Sequence, residues 1–267
     1  MSLSEQPWER LKVRETDRRV DITISWPERR NALDFTTWDE LDRVMLEVAR
    51  HDEVRVVTLT GEDPAFCAGV SFDAIGSSLG VEKQQYPSFI RRWAGVADHF
   101  ERVAQPTIAA INGPAIGAGF EIALACDLRI ASDRAVFCMP QMRMGIVPDA
   151  GGTSRLARAA GSAVAKDLVL SSRVIDAEEA LRCGIVSRVV PHEELGAEVD
   201  ALADQVAELP WPSAYFAVVA IDSGPHLDPR RAADLEGIAD QVMLRQDEVW
   251  EKVEGFMASR GLKGFRP

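Results

Sequence analysis

The sequence of 267 residues has few cysteines, and they do not form a recognisable pattern. The four cysteines lie at positions 67, 126, 138 and 183, too far apart for a CxxC metal site or a disulfide framework. We therefore expect no metal site and no disulfide scaffold. A reducing compartment, the cytoplasm, is the expected location.

Basic residues are also scarce. Thirty Lys and Arg stand against 42 Asp and Glu, which gives a net charge of −12 and argues against nucleic acid or an anionic membrane as a partner. The N-terminal segment MSLSEQPWERLKV has no apolar core of the kind found in signal peptides. A hydrophobic content of 46% is ordinary for a globular chain.

A dinucleotide-binding motif is missing as well. The glycines between residues 113 and 119 do not have GxGxxG spacing with an acidic residue at the expected distance. We therefore expect no nicotinamide or flavin site and no resident cofactor.

The most informative stretch that is present runs from 106 to 127, PTIAAINGPAIGAGFEIALACD. Its β-branched residues at 107–111 predict a buried strand, and residues 112–114 predict a turn. A helix is predicted at 116–126. Small residues at its start leave backbone N–H groups unpaired at the positive end of the helix dipole, where an anion or an anionic oxygen binds well.

Glu121 falls in the first turn of this predicted helix, among apolar neighbours. A carboxylate held there is a candidate base beside an oxyanion site. The alternative is a buried strand and helix that leave Glu121 on a solvated edge, without chemistry.

The periodicity of apolar residues along the chain predicts an α/β protein in two parts. Strand, helix and strand follow one another over residues 20–60, and a loop containing Gly and Ala comes next at 63–72. After residue 191 the pattern is helical throughout. We therefore expect an α/β core at 1–191 and a helical region at 192–267.

Five segments in order carry a resemblance to a known family: RRNALD at 29–34, AFCAG at 65–69, INGPAIGAGFEIALACD at 111–127, MGIVPDAGGTSRL at 144–156 and DAEEALRCGIVSRVV at 176–190. Over nearly its whole length the chain resembles the crotonase superfamily, also called the enoyl-CoA hydratase/isomerase family. The resemblance implies a crotonase-like (ClpP/crotonase) core of repeated ββα units and an acyl-CoA thioester as substrate. It also implies that the region at 192–267 builds a homotrimer or homohexamer and covers the active site.

The resemblance also implies roles for individual residues. The backbone amides of Ala68 and Ala118 become the two donors to the thioester oxygen, and Glu121 becomes the first of two hydratase glutamates. The second glutamate is replaced by Gln141, whose amide cannot exchange a proton near neutral pH. Asp149 matches a working aspartate of several isomerase members.

These departures favour an enoyl-CoA isomerase that moves a proton between two carbons with Glu121 and Asp149, in fatty-acid or related acyl-CoA metabolism. One alternative is an enoyl-CoA hydratase that uses Glu121 with Asp149 or Gln141. In another, Asp149 is only the N-cap of the following helix. A third is a catalytically silent member that binds acyl-CoA.

The family position implies a binding region for coenzyme A, with Ser71 in place of the aspartate usual after the Ala-Gly pair. Its residues come from three segments: Arg29, Arg30, Ala32, Gly69, Val70, Ser71, Lys263 and Phe265.

Overall fold

The computed structural model describes residues 2–78, 80–82 and 84–261, and within them the chain forms nine strands and ten α-helices. The strands are β1 (Leu11–Glu15), β2 (Arg19–Ile24), β3 (Val56–Gly61), β4 (Thr107–Ile111), β5 (Ala115–Ile116), β6 (Leu128–Ser132), β7 (Val136–Cys138), β8 (Ile175–Asp176) and β9 (Arg188–Val190). The helices are α1 (Phe35–Val48), α2 (Phe72–Ser78), α3 (Tyr86–Arg102), α4 (Ala118–Ala125), α5 (Gly152–Ser171), α6 (Ala177–Arg182), α7 (Leu195–Ala207), α8 (Trp211–Ser223), α9 (Pro229–Met243) and α10 (Asp247–Ser259).

Six strands form the main sheet in the order β1-β2-β3-β4-β6-β9. Only β1 pairs antiparallel, with β2; every later pair in this sheet is parallel. The strands β5, β7 and β8 form a second, small sheet. Because parallel neighbours need crossover connections, the helices between them cover the sheet, which confirms the α/β class.

Both faces of the central strands are buried, as the continuous apolar runs predict. In β3, Val57 and Leu59 belong to the larger core with α1, α3 and α4. The intervening Val56 belongs to a second cluster with Leu195 and Val199 of α7. Alternate residues of one strand therefore hold helices on opposite faces of the sheet.

The chain divides into two compact units, residues 1–207 and 208–267. The sequence placed the boundary after residue 191, whereas the first unit continues to Ala207, because α7 buries Leu195, Val199 and Ala203 against the sheet. The second unit holds α8, α9 and α10. The predicted role of the C-terminal region in assembly and in covering the site stays a prediction.

None of the described helices is both long and apolar enough to cross a bilayer.

Candidate active site

Helix α4 carries Glu121, and all eight of its residues are buried. The helix is apolar on every side apart from this carboxyl group, as expected for a helix enclosed by the protein. Glu121 retains only 1% of its accessible surface. The alternative in which Glu121 lies on a solvated edge is therefore wrong.

The two oxygens of the Glu121 carboxyl group have different partners. Its Oε1 accepts hydrogen bonds from the backbone N–H groups of Ala150 at 3.0 Å and Gly152 at 2.9 Å. Its Oε2 accepts one from Nε2 of Gln141 at 2.9 Å. The segment before α5 and the 3₁₀ helix Pro140–Met144 therefore hold the group from two sides.

Burial raises the pKa of Glu121 to about 7, because the apolar surroundings disfavour the charged form. The charge of Asp149 raises it further, while the N–H groups of Gly152 and Ala150 and the charge of Arg155 oppose the shift. A carboxyl group with this pKa can both take and return a proton near neutral pH.

Two backbone N–H groups beside Glu121 are free. Among the residues that the structure describes, the amides of Val70 and Ala118 have no hydrogen-bond partner, and both residues line the same cavity as Glu121. Ala118 is the first residue of α4, so its N–H is one that the helix cannot pair. A methyl group placed on Gly69 would lie 3.4 Å from the Ala118 nitrogen, so the segments carrying the two amides adjoin.

The sequence assigned the first donor to the wrong residue. The N–H of Ala68 donates to the carbonyl oxygen of Arg30 at 3.0 Å and is not available to a ligand. Gly69, with φ of +84°, turns the chain at the next position, and the amide that stays free there is that of Val70. The sequence also predicted the N–H of Ala118 as a donor, and this N–H is free in the structure.

The two donor segments are locked together. Cys67 donates its N–H to Pro114 O at 3.0 Å and accepts from Ile116 N at 2.9 Å. A Cβ on Gly119 would lie 2.5 Å from the Cys67 carbonyl oxygen, which leaves no room for any larger residue. The spacing of the two amides is therefore fixed by backbone contact.

A cavity of about 430 Å³ joins these groups. Its apolar wall includes Ile75, Ile90 and Trp93, and the Trp93 ring stacks on Trp38 with centroids 4.2 Å apart. An apolar cavity with a few polar groups at one end is the usual form of a small-molecule site.

Asp149 also lines this cavity, as predicted. Partial burial raises its pKa, although solvent still reaches the exposed residue. It does not cap α5: the N-cap is Gly151, and the side chain that accepts from the first N–H of the helix, that of Gly152, belongs to Glu121. The reading of Asp149 as a helix cap is therefore wrong.

The predicted coenzyme A residues form one neighbourhood as far as the structure describes them. The N–H of Leu33 donates to Gly69 O at 2.8 Å, and the N–H of Ser71 donates to Leu33 O at 2.9 Å. Arg29 and Arg30 are exposed next to this junction, and Ala32 lies under it. The predicted Lys263 and Phe265 lie outside the described residues.

Ser71 has a structural contact of its own: its Oγ accepts from the N–H of Ala74 at 3.2 Å and so caps α2. The hydroxyl group thus orders the helix that follows the free amide of Val70.

Sequence reasoning missed two buried residues that support the site. Asn31 has no accessible surface, and its Nδ2 donates to the carbonyl oxygens of Glu62 and Ala65, each at 2.7 Å. Arg155, 4% exposed, donates to Ala150 O at 2.5 Å and pairs with Asp98 and Glu101 of α3. Both lie inside quoted motifs, RRNALD and MGIVPDAGGTSRL, but only burial distinguishes them from surface residues.

Among the described residues, no group of three or more His, Cys, Asp or Glu side chains is placed to hold a metal ion. The polar groups that line the cavity are instead two free backbone N–H groups, the buried carboxyl group of Glu121 and the side-chain amide of Gln141. Such a set defines an enzyme site that stabilises an anionic oxygen and moves a proton beside it.

Comparison with known proteins agrees with this class. The model of the family described as enoyl-CoA hydratase/isomerase matches residues 17–252. The chain belongs to this family, within the crotonase superfamily, and it is an enzyme of the hydratase/isomerase class.

Similar sequences and structures extend over nearly the whole chain. A probable enoyl-CoA hydratase of Rhizobium meliloti is 34% identical over 92% of this chain and 94% of its own length. A short-chain-enoyl-CoA hydratase of Clostridium acetobutylicum is 33% identical over 92% and 93%. The crystal structure of an enoyl-CoA hydratase from Bacillus anthracis matches with a TM-score of 0.86 at 30% identity, over 95% of this chain and 96% of its own. The crotonase-like fold predicted from the sequence is confirmed.

Proposed function

We propose that the chain hydrates the double bond of a 2-enoyl-CoA thioester. The observation that carries this proposal is the buried Glu121 carboxyl group, with a pKa of about 7, in one cavity with the free N–H groups of Val70 and Ala118. The relatives add support, since those from Clostridium acetobutylicum and Syntrophomonas wolfei are a short-chain-enoyl-CoA hydratase and a crotonyl-CoA hydratase.

In the proposed reaction the oxygen of water bonds to C3, and the electron pair of the C2–C3 bond moves into the thioester. Negative charge then develops on the thioester oxygen, which the two N–H groups stabilise, at about 3 kcal/mol each. Collapse of this enolate with protonation at C2 completes the 3-hydroxyacyl thioester. The thioester sulfur and coenzyme A take no part in bond changes.

Glu121 is the proposed proton carrier. In its charged form it takes a proton from water as the C3–O bond forms, and it then returns the proton to C2. A pKa near the working pH suits a group that must do both. The reaction needs no resident cofactor, because coenzyme A enters as part of the substrate.

The proposed position of coenzyme A is the junction of the loop at 29–33 with residues 69–71. Arg29 and Arg30 are exposed there and supply positive charge to phosphate groups in an otherwise acidic chain. A nucleotide anchored at this junction would hold the thioester against the two free amides. One of the structures similar to this chain, from Thermobifida fusca, was solved in complex with CoA, at 34% identity and a TM-score of 0.82.

Double-bond isomerisation is the second candidate. The observation that favours it is Asp149, a second carboxyl group in the cavity with a raised pKa, together with an amide at Gln141. Two such carboxyl groups can move a proton between two carbons of one dienolate. The sequence favoured this reaction, but the named relatives support the hydratase reading better.

One assay separates the two reactions. The chain is mixed with 2-enoyl-CoA and 3-enoyl-CoA thioesters of several chain lengths, and both absorbance and mass are followed. Hydration removes the conjugated thioester and adds the mass of one water; isomerisation changes absorbance at constant mass. We expect faster hydration, lowered by ~10²–10⁴-fold in Glu121→Gln because a positioned proton carrier is lost.

Asp149→Asn is the companion variant, and it should lower isomerisation far more than hydration. Faster isomerisation than hydration in the unaltered chain would overturn the hydratase proposal. Tight acyl-CoA binding in calorimetry without either reaction would favour the silent alternative. Equal affinity for an acyl-CoA and its free acid would remove the coenzyme A assignment.

A further inference from the structure

The two oxygens of the Glu121 carboxyl group have different hydrogen-bond partners, and this difference determines which oxygen carries the proton in the neutral form. Oε1 already accepts two backbone N–H groups, from Ala150 and Gly152. Those donors favour a negative or carbonyl-like oxygen and leave little room for a proton there. The proton of neutral Glu121 therefore resides on Oε2, the oxygen that faces Gln141.

Gln141 presents an unexplained atom at this same place. Its side chain is buried, with 7% of the residue exposed, and its Nε2 donates to Oε2 of Glu121. Its Oε1 is also buried, yet it has no hydrogen-bond partner among the described residues. A buried acceptor without a donor is costly, so this atom requires a physical reason.

Only one atom of the Gln141 amide is therefore tied to a partner, and protonation of Glu121 changes which atom fits there. An O–H on Oε2 is a donor, and the Nε2 group that faces it is also a donor, so the two repel. A half-turn of the Gln141 amide exchanges Nε2 and Oε1 and gives the O–H an acceptor.

We propose that Gln141 is a positioning residue whose amide turns over with the protonation of Glu121, donating to the carboxylate and accepting from the neutral carboxyl group. The proposal rests on the proton-carrying role given to Glu121 under the proposed function. In this arrangement Oε2 keeps one hydrogen bond to the same side chain before and after each proton transfer.

The chemistry of the amide sets Gln141 apart from a glutamate and from an apolar residue at this position. A glutamate would place a second carboxyl group against Oε2, and the two would have to share a proton. An apolar side chain would bond to neither form. The charged form loses more from that change, since hydrogen bonds to ions are about twice as strong as neutral ones.

Other charged groups near Glu121 come from three helices and from the segment before α5, and they are common to all variants below. They are Arg143 of the 3₁₀ helix, Asp149 before α5, Arg155 of α5, and its partners Asp98 and Glu101 of α3.

The test follows two titrations by NMR without any substrate, so that it does not depend on turnover. The first is the side-chain carboxyl ¹³C signal of Glu121, assigned with Glu121→Gln. The second is the side-chain ¹⁵N–¹H signal of Gln141, assigned with Gln141→Leu. Gln105→Leu is the matched control: Gln105 is 5% exposed and its Oε1 also lacks a partner, but its Nε2 bonds to Val48 O and His51 O instead.

We expect Gln141→Leu to raise the pKa of Glu121 by about one unit, because the charged form loses its donor. Gln141→Glu should raise it further, and Gln105→Leu should leave it unchanged. In the unaltered chain the Gln141 amide signal should move with the same midpoint as the Glu121 carboxyl signal. If Gln141→Leu does not fold, Gln141→Met carries the same test with a flexible side chain.

Two results would overturn the proposal: a Glu121 titration unaltered by loss of the Gln141 amide, or a Gln141 signal that stays constant across that titration. Failure of the proposed function looks different, because the two titrations would then behave as expected while no enoyl-CoA is converted. With turnover present, the pH profile of kcat/KM in Gln141→Leu should shift by the same amount as the carboxyl signal.

Discussion

Arg155 donates a hydrogen bond to the carbonyl oxygen of Ala150 at 2.5 Å, one residue before the Gly151–Gly152 pair. The guanidinium group also pairs with Asp98 and Glu101 and thereby holds α3. Arg155 thus links the segment that donates two N–H groups to Glu121 with the carboxylates of α3.

Loss of this contact should be costly. Arg155→Met is expected to destabilise the chain by about 2–4 kcal/mol, because it removes a buried guanidinium group with its hydrogen bond to Ala150 O and its ion pairs with Asp98 and Glu101. It should also lower kcat, since the donors to Glu121 lose their support. Arg158→Met is the matched control: Arg158 pairs with the same Glu101 but is 39% exposed, so about 0–1 kcal/mol is expected. Urea unfolding measures both, and equal losses would contradict a special role for Arg155.

The free N–H of Ala118 can be removed at little structural cost. Ala118 is the first residue of α4, the helix position that best tolerates proline, so Ala118→Pro should retain the fold. We expect kcat to fall ~10²–10³-fold because one donor to the anionic oxygen is lost. Ala118→Gly keeps the N–H and is the control. A fully active proline variant would show that this amide is not a donor to the substrate.

Glu121 should make the folded chain less stable as pH rises. Its pKa is about 7 in the folded state against 4.5 for an ordinary glutamate. The folded chain therefore binds this proton more tightly, and the resulting stabilisation, present below about pH 4.5, is lost by about pH 7. Glu121→Gln cannot ionise, so above pH 7 it should be more stable than the unaltered chain by up to about 3 kcal/mol. Denaturation at pH 5 and pH 8 tests this; a gain of equal size at both values would exclude ionisation as the cause.

The second unit should take part in assembly. Ile221, Ile238 and Phe256 are 72%, 60% and 62% exposed on its helices, which is more apolar surface than a small helical unit usually leaves to solvent. We expect a homotrimer or homohexamer, in which copies of the chain cover these side chains. Light scattering at micromolar concentration gives the mass. A monomer at that concentration would contradict the expectation, and Ile238→Asp should weaken the assembly without unfolding the first unit.

The strands and helices that the sequence predicted well are the ones with a single strong pattern. The apolar run at 107–111 is β4, and the small-residue turn before Glu121 leads into α4. In each case a local preference and the tertiary packing favour the same conformation.

Elements without such a pattern were missed. The strand β1 is short and half exposed, and only its pairing with β2 makes it a strand. Helix α2 follows directly on the predicted loop at 63–72 and was not predicted, because its Gly76 and serines favour turns.

The candidate site was also predicted in part: its side chains were identified correctly, and one backbone donor was not. Glu121, Asp149 and Gln141 line one cavity, as their motifs predicted. The wrong donor, Ala68, could not have been recognised from the sequence, because an amide is free or paired according to the path of distant backbone, here the carbonyl of Arg30. The chemistry of a side chain can be inferred from the sequence. Which backbone N–H groups are paired can be determined only from the folded structure.

The contact of Gly119 with Cys67 has a consequence for how such a site diversifies. Their close approach and the backbone hydrogen bonds of Cys67 fix the separation of the two segments that carry the free amides. Under the proposed function, we therefore expect substitutions at 141 or 149 to change the proton transfer while the backbone contact that holds the two amides stays intact. We therefore expect that a lineage with this architecture can acquire a new reaction through one or two side-chain replacements. Each intermediate sequence along that path would retain both free amides.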